Sequence, residues 1–266
     1  MTAGGATAFP LAGSTTVEGP GFQGSLGWYT VNGVAYVSHA VVTGQPMFQA
    51  RDMGAVGKTL IGVRRGLSAH DVTVQLGVDT AVGEDDVQGV LISASAGLVA
   101  DGLQVVMRRS VPVDDGDRVG ASGVPSARPL DAAADAGGWS AFEAAAGSAF
   151  SSRRSGEIPD GFLDRVAVVA DDGGNLLAYC WVRLVRSHPQ ATPTAEIVSF
   201  GAAASVAAEA VQDHEWAAFV AATDLLAAEG VRTVAVAVDE SATDVVERLT
   251  SWSFVARRHR HLYRPA

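Results

Sequence analysis

The stretch "RDMGAVGKTLIGVRR", Arg51 to Arg65, gathers residue types that hold phosphate. Small residues let backbone N–H groups approach a phosphate closely, and a helix N-terminus adds partial positive charge. Lys58 adds a whole charge. Gly57-Lys58-Thr59 matches the close of the nucleotide pattern G-x-x-x-x-G-K-[ST], but that pattern needs a glycine where Asp52 stands. Asp79 ends the next strand-like run, where the magnesium-binding acid of such a site would lie. The same run recurs at Asp239 with no Gly-Lys-Thr before it, and the lead-in "TGQPMFQA" is no clean buried strand. The nucleotide-loop match is therefore partial, and a P-loop nucleotide-binding protein is the less favoured reading of the stretch.

Other reactive side chains carry less. Cys180, the only cysteine, sits in the apolar run "AYCWV" with no base nearby, the setting of an inert buried thiol. It also leaves no intramolecular disulfide. The terminal "RRHRHLYR" alternates charge as a solvated strand does, and His259 and His261 lack a third ligand at metal-site spacing, so no metal is expected. His39 in "AYVSHAV" is the side chain best matched to proton transfer near neutrality.

The chain that must position these groups has 266 residues, 48% hydrophobic and 18% charged, enough for one large or two small domains. A formal charge of -10 argues against a nucleic-acid partner, whose phosphates demand a basic face. No apolar run approaches the roughly 18 residues of a membrane span. With no secretory signal at its N-terminus, the protein is expected in the cytoplasm with no membrane partner. An alanine-, valine- and arginine-rich vocabulary with few lysines fits a GC-rich bacterial genome.

Residues 1–22 lack periodicity and read as a flexible lead-in. "GWYTVNGVAYVSHAVVT" is a hairpin around Asn32-Gly33. A helix from Lys58 to about Ser68, the strand "DVTVQLGVD", a helix over about Glu84 to Ala96 and two short strands around Asp101-Gly102 follow. Residues 111–128, rich in Pro, Gly, Ser and Asp, read as a linker. Beyond it, Trp139, Phe142, Ala146 and Phe150 mark one face of a helix over about 130–151. A hairpin around Asp172-Gly173-Gly174-Asn175, the strand "TAEIVSF", a helix over about 214–228, the strand "VRTVAVAVD", a helix over about 243–252 and a closing strand complete the order. Each half thus runs strand, acidic strand end, helix, small residue plus bulky apolar residue, then a strand ending in arginines.

Both halves resemble the GNAT acyltransferase superfamily. "Ala55-Val56-Gly57-Lys58-Thr59-Leu60" is similar to the end of the loop that wraps the pyrophosphate of CoA in that family, with Asp52 where Arg or Gln is usual and Ala55 where a glycine is usual. The second half resembles the family from its long helix to "WSFVARRHRHLYR" but has "AVQDHE" in place of that loop. The resemblance implies an α/β (α+β) fold of two tandem domains, each a mixed twisted sheet flanked by helices. Residues 23–110 form a truncated donor-binding domain, and 129–266 a domain without the loop.

The implied activity is transfer of an acyl group from acyl-CoA or acetyl-CoA, or from the phosphopantetheine of an acyl carrier protein, to the amine of a small molecule in bacterial metabolism. The implied donor site is Val41 and Val42 on a splayed strand, with Met53, Gly54, Ala55, Val56, Gly57, Lys58 and Thr59 in the loop. The implied catalytic candidates are Tyr36 and Glu196, at the family's strand-borne base position, and His39 on the same strand. Ser93 stands where many members place an acidic tyrosine. A degenerate, non-catalytic binder of acyl-CoA or of a partner is the alternative.

Overall fold

A computed structural model of the protein describes residues 12–19, 22–31, 34–43, 50–68, 70, 73–83, 86–113, 124–139, 159, 161–185 and 193–266. In chain order its elements begin with β1 (Ala12–Gly19), β2 (Phe22–Val31), β3 (Val34–Thr43), α1 (Ala50–Ser68), β4 (Thr73–Ala81), α2 (Val87–Ala96) and β5 (Leu98–Ser110). They continue with β6 (Ala127–Pro129), β7 (Asp164–Ala170), β8 (Leu176–Val185), β9 (Thr194–Ala202), α3 (Val211–Ala228), β10 (Thr233–Asp239), α4 (Thr243–Ser251) and β11 (Val255–Pro265).

The chain divides into two compact units that are not contiguous in sequence. Unit 1 is Met1–Gln104 with Arg258–Ala266, and unit 2 is Val105–Arg257. Two long strands cause this, because β5 and β11 each give residues to both units. The break falls inside β5 rather than in the expected linker, of which 114–123 lie outside the described residues.

In unit 1 the strand order is β1-β2-β3-β4-β11-β5. Strand alternation puts Val17, Leu26, Trp28, Ala35, Val37, Val74, Leu76 and Val78 on the buried face. Val56, Leu60, Val63 and Leu67 recur at helical spacing on α1 and close the same core. β2 and β3 pair with Val31 opposite Val34, the register a two-residue connection requires.

Three expectations change here. Residues 12–19 are not part of a loose lead-in but an edge strand paired along its length with β2, and with Val17 the one buried hydrophobic among its described side chains it carries almost no apolar signal. Asp101-Gly102 makes no turn, since β5 runs through it as one strand while the Asp101 carboxylate accepts from Gln75 (3.0 Å) and Arg264 (2.8 Å). The stretch Arg51 to Gly57 is no loop, because α1 already starts at Ala50.

Unit 2 has the order β5-β10-β9-β8-β7-β6. The β7–β8 hairpin turns where Gly174 adopts φ +80, with the Asp171 carboxylate accepting from the Gly173 and Asn175 N–H groups. The helix expected from 130 begins at 136. Before it the Asp131 carboxylate accepts from the Ala133 and Ala134 N–H groups, and Arg128 clamps Asp135 with two bonds of 2.7 Å. Trp139 meets Tyr179 edge-on at 5.4 Å; Phe142, Ala146 and Phe150 lie outside the described residues. Cys180 is fully buried and burial pushes its thiol up, which fits the inert reading.

Glu215 of α3 is buried and accepts from Arg248 of α4 at 2.5 Å. Burial raises its carboxyl above the ordinary 4.5, with Arg248 opposing. A folded-state value above the unfolded one means that the native state binds the proton more tightly. The stability from this group is therefore present at low pH and is lost as pH rises through the folded value. Denaturant unfolding of wild type and Glu215→Gln, which keeps a hydrogen-bond acceptor, should show wild type losing ground to the variant from mildly acidic pH to neutrality. A pH-independent difference would refute the burial penalty.

Candidate active site

β3 and β4 run parallel and pair from Val34 opposite Thr73 to Ser38 opposite Gly77. Beyond that point they part: β3 continues to Thr43 against β2 alone, and β4 continues to Ala81 against β11. The register between Gly24 opposite Val41 and Gln23 opposite Thr43 leaves Val42 as an extra residue, a bulge of the kind that bends a strand away from its neighbour. Residues 39–43 thus offer backbone groups to something other than β4. α1 starts after this strand, and the N–H groups of its first residues, Ala50 to Asp52, have no partner within the helix. Parted strands beside a helix N-terminus make a slot for an extended molecule that ends in an anion.

The same pattern recurs in unit 2. β9 and β10 pair at Ala195 opposite Val234 and Glu196 opposite Ala235, then part, and the register shift places the bulge at Val198. Ala35 opposite Val74 and Ala195 opposite Val234 are displaced along the chain by the same number of residues in both strands. α1 and α3 end at Ser68 and Ala228 with that same displacement. After α2 and α4 the chain turns through positive φ at Gly97 (67°) and Ser253 (61°), which re-aligns the two copies.

This correspondence separates the units by the bulk of the side chains at matching positions. In unit 2, Phe200, Trp216, Phe219, Trp252 and Phe254 join one buried cluster with Val236 and Val238. Phe200 and Trp252 lie 4.9 Å apart by ring centroids, and Phe219 stacks on Trp252 at 5.5 Å. Arg109 lies over the Trp216 ring at 5.1 Å and donates to the Trp252 carbonyl. The corresponding positions of unit 1 hold Ala40, Val56, Thr59, Ala96 and Leu98, all smaller. Unit 2 thus buries an aromatic cluster at positions where unit 1 has smaller side chains.

The sequence-derived candidates fall as follows. Tyr36 lies on β3 opposite Gln75, His39 follows the last paired residue Ser38, and Val41 and Val42 border the bulge. The side chains of these four and of Met53 lie outside the described part of the structure. Gly54, Ala55, Val56, Gly57, Lys58 and Thr59 are corrected: they stand inside α1, where amides are consumed by helical bonds and cannot cradle a diphosphate. Val56 is buried, Thr59 donates to the Ala55 carbonyl at 3.0 Å, and Lys58 is exposed. A Cβ on Gly57 would sit 2.8 Å from the Ser95 Cβ, so this glycine serves the close approach of α1 to α2. Ser93 is buried and donates to Val90 of its own helix at 3.0 Å, a backbone bond rather than a free acid. Glu196 belongs to unit 2.

A polar cluster in unit 1 escaped the sequence reading. Asp86 caps α2, its carboxylate accepting from the Gly89 N–H at 2.6 Å and from the Tyr263 hydroxyl at 2.7 Å. Burial, then this contact, push the Tyr263 phenol up. His261 brings Nδ1 to 3.9 Å from Asp86 and Nε2 to 3.2 Å from the Thr80 hydroxyl. Alternation of His259, His261 and Tyr263 on one face of β11 was the available signal.

No family model matches the sequence, and no curated protein is similar to it. Solved structures are similar in fold. A GCN5-related N-acetyltransferase from Kribbella flavida superposes with a TM-score of 0.58 at 13% identity, covering 94% of this chain and 89% of that one. A tandem GNAT protein from the clavulanic acid biosynthesis pathway gives 0.56 at 13% identity, covering 97% and 84%. A GCN5-related N-acetyltransferase from Sphaerobacter thermophilus gives 0.56 at 16%, covering 91% and 76%. Among the described residues, no helix is long and apolar enough to cross a membrane. With parted parallel strands, a bulged strand before a long helix, and these neighbours, the chain has the fold of the GNAT acetyltransferase superfamily.

Proposed function

We propose that the protein is a tandem GNAT acyltransferase that takes its acyl-CoA donor in unit 1 and passes the acyl group to the amine of a small molecule. One observation supports the reading: both units part their parallel strands, but only unit 2 buries large aromatic side chains at positions where unit 1 has Ala40, Val56, Thr59, Ala96 and Leu98, and we take these rings to fill the gap. The pantetheine arm would pair with the backbone of residues 40–43, and the diphosphate would meet the leading amides of α1, Ala50 to Asp52. The arm is common to CoA and to carrier proteins, so an acyl carrier protein can present the same donor. A biosynthetic role in a bacterium is part of the proposal.

In the reaction the amine nitrogen attacks the thioester carbonyl, the C–N bond forms, the C–S bond breaks, and the thiolate leaves. His39, just beyond the last pair of β3 and β4, is the proposed base for the amine proton. Tyr36 lies on the same strand.

Calorimetry with acetyl-CoA should give one site per chain, and an added amine should be converted to its N-acetyl product with turnover of free thiol. No binding would sink the reading. Binding without release for any amine of a broad panel would favour a non-catalytic binder, which the backbone-tied Ser93 also suits. Asp52 places a negative charge in the first turn of α1, where the diphosphate would dock. Asp52→Asn is therefore expected to tighten acetyl-CoA about two- to fivefold, from a helix-terminus charge effect of about 0.3–1 kcal/mol. Unchanged or weaker binding would move the diphosphate elsewhere.

A further inference from the structure

We infer that Thr80, His261 and Asp86 form a hydroxyl–imidazole–carboxylate relay through which unit 1 can take the acyl group onto Thr80 itself. The inference rests on the donor reading above. Thr80 stands on the parted end of β4, three residues beyond Gly77, the last residue paired with β3. Its Oγ1 lies 3.2 Å from His261 Nε2, within hydrogen-bond reach, and both residues are only partly buried, the imidazole side chain 24% exposed. Asp86 faces the other ring nitrogen with a side chain 3% exposed, held on one oxygen by the Gly89 amide and on the other by the Tyr263 hydroxyl. A fixed carboxylate on the Nδ1 side favours the tautomer with its proton there. That leaves the Nε2 lone pair to accept the Thr80 O–H. A hydroxyl joined to a base that a third group orients is the geometry of an activated nucleophile.

The fold does not require this cluster. At the corresponding positions of unit 2 stand Glu240 for Thr80, Val105 for His261, Ala242 for Asp86 and Met107 for Tyr263. Val105 and Met107 are simply buried in the apolar core. Unit 1 thus carries His261 and Tyr263 where its copy carries buried apolar side chains, and Thr80 and Asp86 where its copy has no partner for them.

In the step, Thr80 Oγ attacks the thioester carbonyl, His261 Nε2 takes the hydroxyl proton, and the C–S bond breaks. The same proton goes to the leaving thiolate, which departs as free thiol, and Thr80 carries an ester. Water or an amine then attacks that ester through His261, releasing a carboxylic acid or an amide and restoring the hydroxyl. Asp86 and Tyr263 are positioning residues.

The test uses two donors on the full chain. p-Nitrophenyl acetate is an activated ester that needs no CoA slot, and acetyl-CoA needs one. Acid quenching followed by peptide mapping should find one acetyl group on Thr80 with each. Thr80→Val, nearly the same shape on a partly exposed strand position, should lose it, and Thr80→Ser should keep it. His261→Gln should slow acylation about 100-fold or more. Acetyl on Thr80 from p-nitrophenyl acetate but not from acetyl-CoA would uphold the relay and overturn the donor reading. Acceptor-dependent thiol release from acetyl-CoA with Thr80 never acylated by either donor would overturn the relay and leave the donor reading standing. Wild-type labelling in Thr80→Val would likewise overturn the relay.

Discussion

Replacing Gly57 with alanine is expected to destabilise the protein by about 1–3 kcal/mol, the cost of overpacking a tight contact. The added Cβ would collide with the Ser95 hydroxyl and come to 2.8 Å from its Cβ. Turning the hydroxyl aside would break its bond to the Ile92 carbonyl (2.8 Å) and still leave the carbon contact, so α1 and α2 must separate. Alanine is the better helix former by about 1 kcal/mol, which offsets part of the cost and makes a net loss diagnostic of the clash. Denaturant unfolding checks this, with Ser95→Gly as the second arm of a double-mutant cycle. The pair should recover most of the loss. A neutral or stabilising Gly57→Ala would show that the two helices are not packed through this glycine. Failed acyl-CoA binding in a Gly57 variant would consequently report helix packing and not a lost phosphate contact.

The largest expected effect belongs to Trp252→Ala. The indole is buried and touches three other aromatic rings, Phe200 at 4.9 Å, Trp216 at 5.5 Å and Phe219, stacked, at 5.5 Å. Truncation removes the transfer free energy of the ring and leaves a cavity whose walls belong to β9, α3 and the segment after α4. The expected cost is about 3–5 kcal/mol. Unfolding by denaturant measures it, and a loss below about 1 kcal/mol would mean that the parting of unit 2 is not plugged by these rings. The corresponding residue of unit 1 is Ala96, so the variant gives unit 2 the small residue that unit 1 already has.

Hairpins, long helices and acidic strand ends were legible in the sequence because each has a local cause: Asn-Gly between β-branched runs, apolar residues at helical spacing, alternation on one face. The repeat was legible too, and it carries a discrimination between the halves. Trp216 against Val56 and Trp252 against Ala96 distinguish the halves as clearly as the missing glycines do. What misled was glycine in a helix. Gly54 and Gly57 are poor helix formers and read as a phosphate loop, whereas Gly57 is needed for interhelical approach. The linker-like composition near 111–128 hid the true division, because the chain changes unit in mid-strand. The Thr80–His261 contact was out of reach. Its partners are 181 residues apart, and only the antiparallel pairing of β11 with β4 brings them together.

The central claim is that unit 1 and not unit 2 holds the donor. A crystal structure of the protein grown with acetyl-CoA tests it most directly. One molecule per chain is expected, its diphosphate on the amides of Ala50 to Asp52 and its pantetheine along residues 40–43. Acetyl-CoA lodged between β9 and β10, with the Trp216 and Trp252 rings displaced, would contradict it.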